Sequence, residues 1–340
     1  MKDVKLHILR SDGGMASAKV AQSLPVNLLM SGPAGGVSGA VWVAKQAGFE
    51  NLLTFDMGGT STDVALVQDS KAQLRRETTV GDVTVRASSV DVRTVGAGGG
   101  SIAHVPELTG ALRVGPESAG AEPGPAAYNK GGELPTVTDA NVVLGYLPSE
   151  VRLGGDMEIR RDRAEKAIAP IAKALGISVK RAAAGIIDIV NENMYGALRL
   201  VSVEQGFDTR DFALIGFGGA GPLHANALGR LMNSWPVIIP PGPGVLCAYG
   251  DATTRVRDEA SRTFIRRFGK TSPAELVRIY QQLANKALKT LEKEGVPKSE
   301  RSVSYEADVR YAGQGLQLTV DFDIKKLKSK GLSIDRKSVV

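Results

Sequence analysis

The sequence is poor in several residue types on which particular chemistries depend. It has one cysteine, Cys247, which excludes an internal disulfide and any metal knot built from cysteines. Aromatic residues make up only 5%, too few to suggest a surface for stacking nucleic-acid bases. No apolar run approaches the roughly 18 residues that span a bilayer. The first 30 residues have no apolar stretch behind a basic start, so no signal peptide is predicted. Together these absences predict a cytoplasmic protein with no membrane segment.

The net charge of +6 and the pI near 9.3 would be compatible with nucleic acid, but the basic residues are scattered. The densest groups are Arg160, Arg161 and Arg163, then Arg262, Arg266 and Arg267, then the Lys325–Lys330 stretch. None is interleaved with aromatics, which argues against a nucleic-acid partner. Glycine is abundant, at 40 of 340 residues, without a collagen period. Such an excess points to turns where the backbone itself meets a ligand.

Two segments show how that glycine is used. Residues 51–67 read as an apolar strand, a tight polar tip and a second apolar strand, with the tip written Asp56-Met-Gly-Gly-Thr-Ser-Thr-Asp63. Such a tip offers main-chain N–H groups and hydroxyls to phosphate oxygens without side-chain obstruction. Gly58, Gly59, Thr60 and Thr62 are the candidate phosphate ligands. Asp56 and Asp63 are the candidate catalytic carboxylates, Asp56 placed to order a hydrated Mg²⁺, with another divalent metal left open. Residues 212–231 read as a buried strand, the loop Gly216-Phe-Gly-Gly-Ala-Gly221 and a helix starting near Pro222. Gly216, Gly218, Gly219, Ala220 and Gly221 are candidates to lie against a nucleotide. The dinucleotide fingerprint is not met, because an apolar run replaces the acidic residue expected about 20 positions on.

Helices are predicted over 161–175, ending at Gly176, and over 181–204 with Gly206 as cap. The stretch 95–135 is rich in Gly and Pro, and is either a functional surface or β structure with a weak pattern. Beyond about residue 255 the pattern changes to a charged strand at 258–267, a helix at 273–294 and strands at 303–311 and 315–322. The division expected is therefore 1–255 and 256–340, in an α/β architecture.

Seven runs resemble the hydantoinase A/5-oxoprolinase family. They are Arg10-Ser-Asp-Gly-Gly14, Ser31-Gly-Pro-Ala-Gly-Gly-Val37, the tip at 55–64, Gly96-Ala-Gly-Gly-Gly-Ser-Ile102, the run 113–125, Pro135-Thr-Val-Thr-Asp-Ala-Asn141 and Phe217-Gly-Gly-Ala-Gly-Pro-Leu-His224. Arg310-Tyr-Ala-Gly-Gln314 is similar too. The resemblance implies an actin-like ATPase (ribonuclease H-like) fold with a small C-terminal α+β segment. It also implies ATP and Mg²⁺ as cofactors and a small cyclic amide as substrate, opened after phosphorylation of its amide oxygen. A larger hydantoinase B-type subunit is the implied partner, with self-association left open. Relatives of this kind also serve in ATP-dependent ketone carboxylation. A sugar or acetate kinase fits the runs 113–125 and 136–141 less well.

Family members resemble actin-like ATPases in having an earlier Asp-x-Gly-Gly-Thr hairpin, and this sequence has only one. A fragment, a truncated product or half of a split subunit is therefore expected, with weak or no ATPase activity alone, because a phosphate held from one side loses much of its electrostatic stabilisation. A catalytically inactive nucleotide-binding or scaffold fragment is the alternative.

Three further groups of side chains are candidates. His104, Asp139 and His224 would suit a His/carboxylate metal site, if the fold brings them together. Arg113 and Glu117 flank a Gly-Pro turn, where Arg113 is a candidate clamp for a substrate carboxylate. Asp12 either caps its own turn or faces the cleft. Cys247 reads as a small buried hydrophobe.

Overall fold

The structure, a computed structural model, describes residues 5–80, 82–149, 152–315, 317–321 and 323–330. It divides into two compact units. One comprises His7–Gly13 and Ala18–Thr254, and the other comprises the described parts of Met1–Leu6, Gly14–Ser17 and Arg255–Val340.

The larger unit is built on a central sheet. Strand β1 (Leu52–Met57) pairs antiparallel with β2 (Thr62–Gln68), which pairs antiparallel with β3 (Val92–Val95). On its other side β1 runs parallel to β4 (Ala213–Phe217), and β4 runs parallel to β5 (Val237–Ile238). A short strand, Lys71–Ala72, extends the sheet from β2. The order β3-β2-β1-β4-β5 is that of the actin-like ATPase fold.

Strand alternation divides the side chains between two layers. Leu53, Phe55 and Met57 of β1, with Val64, Leu66 and Leu214, face one core cluster. Four helices contribute to it: α2 (Val137–Leu144), α3 (Arg161–Leu175), α4 (Val179–Val201) and α5 (Gly221–Met232). The opposite face carries Asp56 and is covered by α1 (Ser31–Gln46), on which α6 (Leu246–Thr253) packs. Glycine sets the depth of that second layer: a Cβ on Gly39 would lie 2.4 Å from the Leu246 carbonyl oxygen, and one on Gly250 1.9 Å from that of Gly35. Helix α1 was not expected from the sequence, because Gly and Pro in its first turns disfavour a helix in isolation.

Local signals account for the helix ends. Thr136 and Asp139 form a reciprocal capping box at the start of α2. Gly176 ends α3 in the left-handed conformation at φ +65°. The 181–204 helix begins slightly earlier, at Val179, where Ser178 caps it, and ends at Val201. The 3-10 turn Val203–Gln205 follows, with Gly206 closing that turn. Residues 95–135 contain an antiparallel hairpin, Ser101–His104 with Arg113–Ser118.

In the smaller unit, α7 (Pro273–Lys293) and the antiparallel strands Glu306–Val309 and Leu318–Asp321 lie within the expected segments. Leu316 and Phe322, part of the second expected strand, lie outside the described residues. The charged strand expected at 258–267 is not formed: those residues are irregular, and among the described residues the bridge nearby is Met15 with Val256. Alternating charge and apolarity is not enough for a strand when no neighbour takes up the ladder hydrogen bonds. Among the described residues no helix is long and apolar enough to cross a membrane.

Candidate functional site

The hairpin tip between β1 and β2 is held by its carbonyls and by the Gly58 amide, and its next three amides have no acceptor among the described residues. Gly58 N–H donates to the Ser61 carbonyl at 3.0 Å and closes the turn. The carbonyls of Gly58 and Gly59 accept from Gly99 N–H at 3.0 Å and Gly100 N–H at 2.6 Å. This contact is main chain against main chain: a Cβ on Gly98 would lie 2.6 Å from the Thr60 carbonyl carbon. No acceptor among the described residues takes the N–H of Gly59, Thr60 or Ser61, and Gly59 and Thr60 are exposed. Three successive amides at an open turn have the donor pattern that suits an anion.

Two of the expected phosphate ligands are used inside the fold. Thr62 is fully buried and its hydroxyl donates to the Ala97 carbonyl at 2.5 Å. Gly58 has already spent its N–H on the turn. Ser61, which the sequence reading passed over, joins Gly59 and Thr60 at the open tip.

Beside the tip, Asp56 and Asp63 are directly opposed across β1 and β2. Asp56 is pushed up to about 6 by burial and then by the neighbouring Asp63 charge, against the pull of a hydrogen bond from Cys247. Burial also raises Asp63, opposed by the Thr94 hydroxyl that donates to Oδ1 at 2.5 Å. The Cys247 thiol lies 3.8 Å from Asp56 Oδ2 and is half-buried. Burial, followed by the charges of Asp56 and Asp251, raises it to about 11. Cys247 is therefore a neighbour of Asp56 and not simply core filling, a contact 191 positions apart that the sequence could not reveal.

The second glycine loop reaches the same place from β4. Gly218, at φ +81°, has room for no side chain: a Cβ would lie 2.3 Å from Asp56 Oδ1. Its N–H donates to the Pro243 carbonyl and that of Ala220 to the Met57 carbonyl, both at 3.0 Å. Gly219 is exposed with open space around it. Gly216 and Gly221 are buried, the former against the Phe55 ring, so they shape the strand-to-helix packing and do not line a cleft.

The structure does not assemble the expected metal triad. Asp139 is fully buried and its carboxylate is occupied by the Ala126, Ala127 and Thr136 N–H groups and the Thr136 hydroxyl. His224 is fully buried between Asn191, at 2.7 Å from Nδ1, and Asn141, at 3.4 Å from Nε2. Burial lowers it to about 4, so it is neutral, with Nδ1–H donating to Asn191 and Nε2 accepting. His104 is exposed on the 101–118 hairpin, opposite Arg113. Among the described residues no three His, Cys, Asp or Glu side chains are grouped to hold a metal ion. Arg113 and Glu117 are both exposed on that hairpin. Asp12 is buried in an ion pair with Arg10 at 3.0 Å, not exposed to a cleft.

Comparison with known proteins agrees with this geometry. The family model described as hydantoinase/oxoprolinase matches residues 1–260. Caprolactamase subunit alpha of Pseudomonas jessenii is 39% identical over 333 residues, covering 97% of this chain and 48% of the relative. The acetophenone carboxylase gamma subunit of Aromatoleum aromaticum is 37% identical, covering 90% of this chain and 43% of the relative. The crystal structure of the ATP-dependent caprolactamase from P. jessenii superposes with a TM-score of 0.82 at 37% identity, covering 99% of this chain and 48% of that one. The chain thus spans about half the length of these relatives. With that match over most of its length, the chain belongs to the hydantoinase/oxoprolinase family.

Proposed function

We propose that this chain supplies the phosphate-binding half of the nucleotide cleft of an ATP-dependent cyclic-amide hydrolase. The observation that carries the reading is the tip itself: its carbonyls are tied to Gly99 and Gly100, which turns the Gly59, Thr60 and Ser61 amides outward as a fixed anion cradle. Asp56 and Asp63 flank the cradle as two like charges with little solvation, an arrangement that favours a cation between them and the phosphates. A magnesium ion bound there would shield phosphate oxygens from the two carboxylates. Gly219 leaves space for the nucleoside side of the ligand, while Gly218 lets the loop approach Asp56.

The reaction proposed follows from the weakness of an amide as an electrophile. The terminal phosphoryl group of ATP is transferred to the amide oxygen and ADP departs. Water then adds to the activated carbon, the ring C–N bond breaks with the amine as leaving group to give an acyl phosphate, and a second water releases phosphate and leaves the carboxylate. The tip amides hold the transferring group in place, and Asp56, raised to about 6 by burial and the Asp63 charge, gains from a cation that offsets that unfavourable charge. The remaining half of the subunit and a larger B-type partner supply the opposing wall. The kinship with caprolactamase subunit alpha supports this reading.

A second reading, a subunit of an ATP-dependent ketone carboxylase, is favoured by the 37% identity to the acetophenone carboxylase gamma subunit. It uses the same cradle on a different carbonyl oxygen. Isothermal titration of the chain with Mg-ADP tests the shared claim. Binding that weakens at least tenfold in Asp56→Asn and Thr60→Val supports it, and absence of binding refutes it. In the complete assembly, ATP hydrolysis stimulated by a lactam selects the hydrolase, and stimulation by a ketone with bicarbonate selects the carboxylase.

A further inference from the structure

Met57 and Gly58, adjacent at the start of the tip, give their carbonyls to two different arms of the fold. The Met57 carbonyl accepts from Ala220 N–H, at the end of the second glycine loop, and that of Gly58 accepts from Gly99 N–H, both at 3.0 Å. Ala220 immediately precedes α5. Gly99 is held in turn from α2, where Thr138 N–H donates to the Gly99 carbonyl at 2.7 Å. That contact is close: a Cβ on Gly99 would lie 2.8 Å from Thr138 Oγ1. The second glycine loop is thus carried by α5, and the segment that presses on the tip is backed by α2.

His224 joins the two helices one turn back from the tip. It follows Ala220 by one helical turn in α5, and Asn141 follows Thr138 by one turn in α2, so each shares a helix face with the residue that makes the contact at the tip. The imidazole is fully buried, with Nδ1 2.7 Å from Asn191 Oδ1 and Nε2 3.4 Å from Asn141 Nδ2. The two ends of the ring are not interchangeable. An amide oxygen only accepts, so Asn191 requires the proton on Nδ1; Nε2 of the neutral ring then only accepts, and Asn141 must turn its NH2 toward it. Asn141 Oδ1 is buried without a partner among the described residues, so the ring nitrogen is what fixes that amide. A hydrocarbon in place of the imidazole would strand two buried amides at once.

We propose that His224 is a positioning residue for the nucleotide cleft: it locks α5 to α2, and through them holds the second glycine loop at a fixed distance from the amides of the tip. The circuit closes on adjacent carbonyls, running from Met57 through Ala220, His224 and Asn141 to Thr138, Gly99 and Gly58. The imidazole touches no ligand and moves no proton. Its role concerns ligands that need both arms, and in this it rests on the nucleotide reading above and adds a residue to it. A ligand that reaches from the cradle to the open space at Gly219 requires that spacing, whereas one that occupies the cradle alone does not.

The test is calorimetric titration of the full chain with Mg-ADP, which spans both arms, and with Mg-pyrophosphate, which fills the cradle alone. His224→Leu should weaken Mg-ADP at least about tenfold and Mg-pyrophosphate less than about twofold. His224→Gln, which keeps a donor and an acceptor, should bind both within about threefold of the wild type. Leu228→Ala, a buried truncation one turn further along α5, should lower the melting temperature and leave the ratio of the two affinities unchanged. Asn141→Ala cuts the same link from α2; it should give the split expected of His224→Leu, and decides the matter if that variant does not fold. Parallel loss of both ligands, no loss, no rescue by Gln, or the same split in Leu228→Ala overturns the proposal. Hydrogen exchange without ligand separates this claim from the nucleotide reading. Relative to the core Leu214 amide, those of Ala220 and Thr138 should exchange at least about tenfold faster in His224→Leu but not in Leu228→Ala. Failure of every protein, wild type included, to bind Mg-ADP refutes the nucleotide reading, and the exchange rates then decide the link; unchanged rates refute it.

Discussion

Gly218 is the residue against which Asp56 is set: a single added methyl at position 218 would fall 2.3 Å from Asp56 Oδ1. The second glycine loop and the first hairpin are therefore interlocked at one atom, and neither can shift without the other.

Gly218→Ala should be severely destabilising. It adds a clash with Asp56 to the strain of a left-handed backbone, φ +81°, for a combined cost on the order of 3 kcal/mol. Gly219→Ala, one residue on, meets nothing within 4 Å and should leave the melting temperature within about a degree or two. Thermal unfolding of the two variants side by side checks the contrast; equal melting temperatures would show that the loop is not interlocked as described.

The two threonines of the tip should separate structure from binding. Thr62→Val removes the donor to the buried Ala97 carbonyl and should cost about 1–3 kcal/mol. Thr60→Val, at an exposed position, should change stability by less than about 0.5 kcal/mol. Its effect should appear in Mg-ADP affinity. Denaturant unfolding together with nucleotide titration would reveal a reversal of these roles.

Asp56→Asn should raise stability at neutral pH while weakening nucleotide binding. The folded protein holds Asp56 near 6, above its ordinary value of 3.8, so ionising it in the fold is unfavourable and the cost is fully present above about pH 6. As pH falls through 6 toward 3.8 the wild type recovers that cost, so the gain from the amide should shrink. Melting temperatures of both proteins at pH 5 and pH 7.5 would test the sign. Mg²⁺ should stabilise the wild type more than the variant.

His224 gives the opposite slope. Its folded value of about 4 lies below the ordinary 6.5, so the unfolded chain takes up a proton first as pH falls. Stability attributable to His224 is whole above pH 6.5 and is lost progressively down to about pH 4, up to about 3 kcal/mol. His224→Gln keeps a neutral donor and acceptor between Asn141 and Asn191. It should flatten this part of the pH profile in equilibrium unfolding; an unchanged profile would mean that the imidazole does not carry it.

The β1–β2 hairpin and the strand–glycine–helix unit were legible in the sequence because their signals are local. Apolar strands bracket the glycines at 51–67 and 212–231, and strand or helix needs no distant information there. Helix α1 was hidden because Gly35 and Gly39, unfavourable to a helix alone, are needed where α6 packs backbone to backbone upon it. Thr62 was misread for a related reason. It looks equivalent to Thr60, but Thr60 sits at the exposed turn, whereas Thr62 opens strand β2 and turns its hydroxyl inward to the Ala97 carbonyl. Asp139 and His224 belong to buried hydrogen-bond networks, and nothing along the chain distinguishes such residues from metal ligands.

The Gly98–Gly100 segment, pressed main chain to main chain on the hairpin tip, has a consequence for how the protein tolerates change. The shape of the anion cradle is specified by atoms that every residue shares, together with the absence of those that differ. A site built from side chains can be tuned one substitution at a time, whereas a cradle built from main chain has few adjustable parts: it is kept whole or lost.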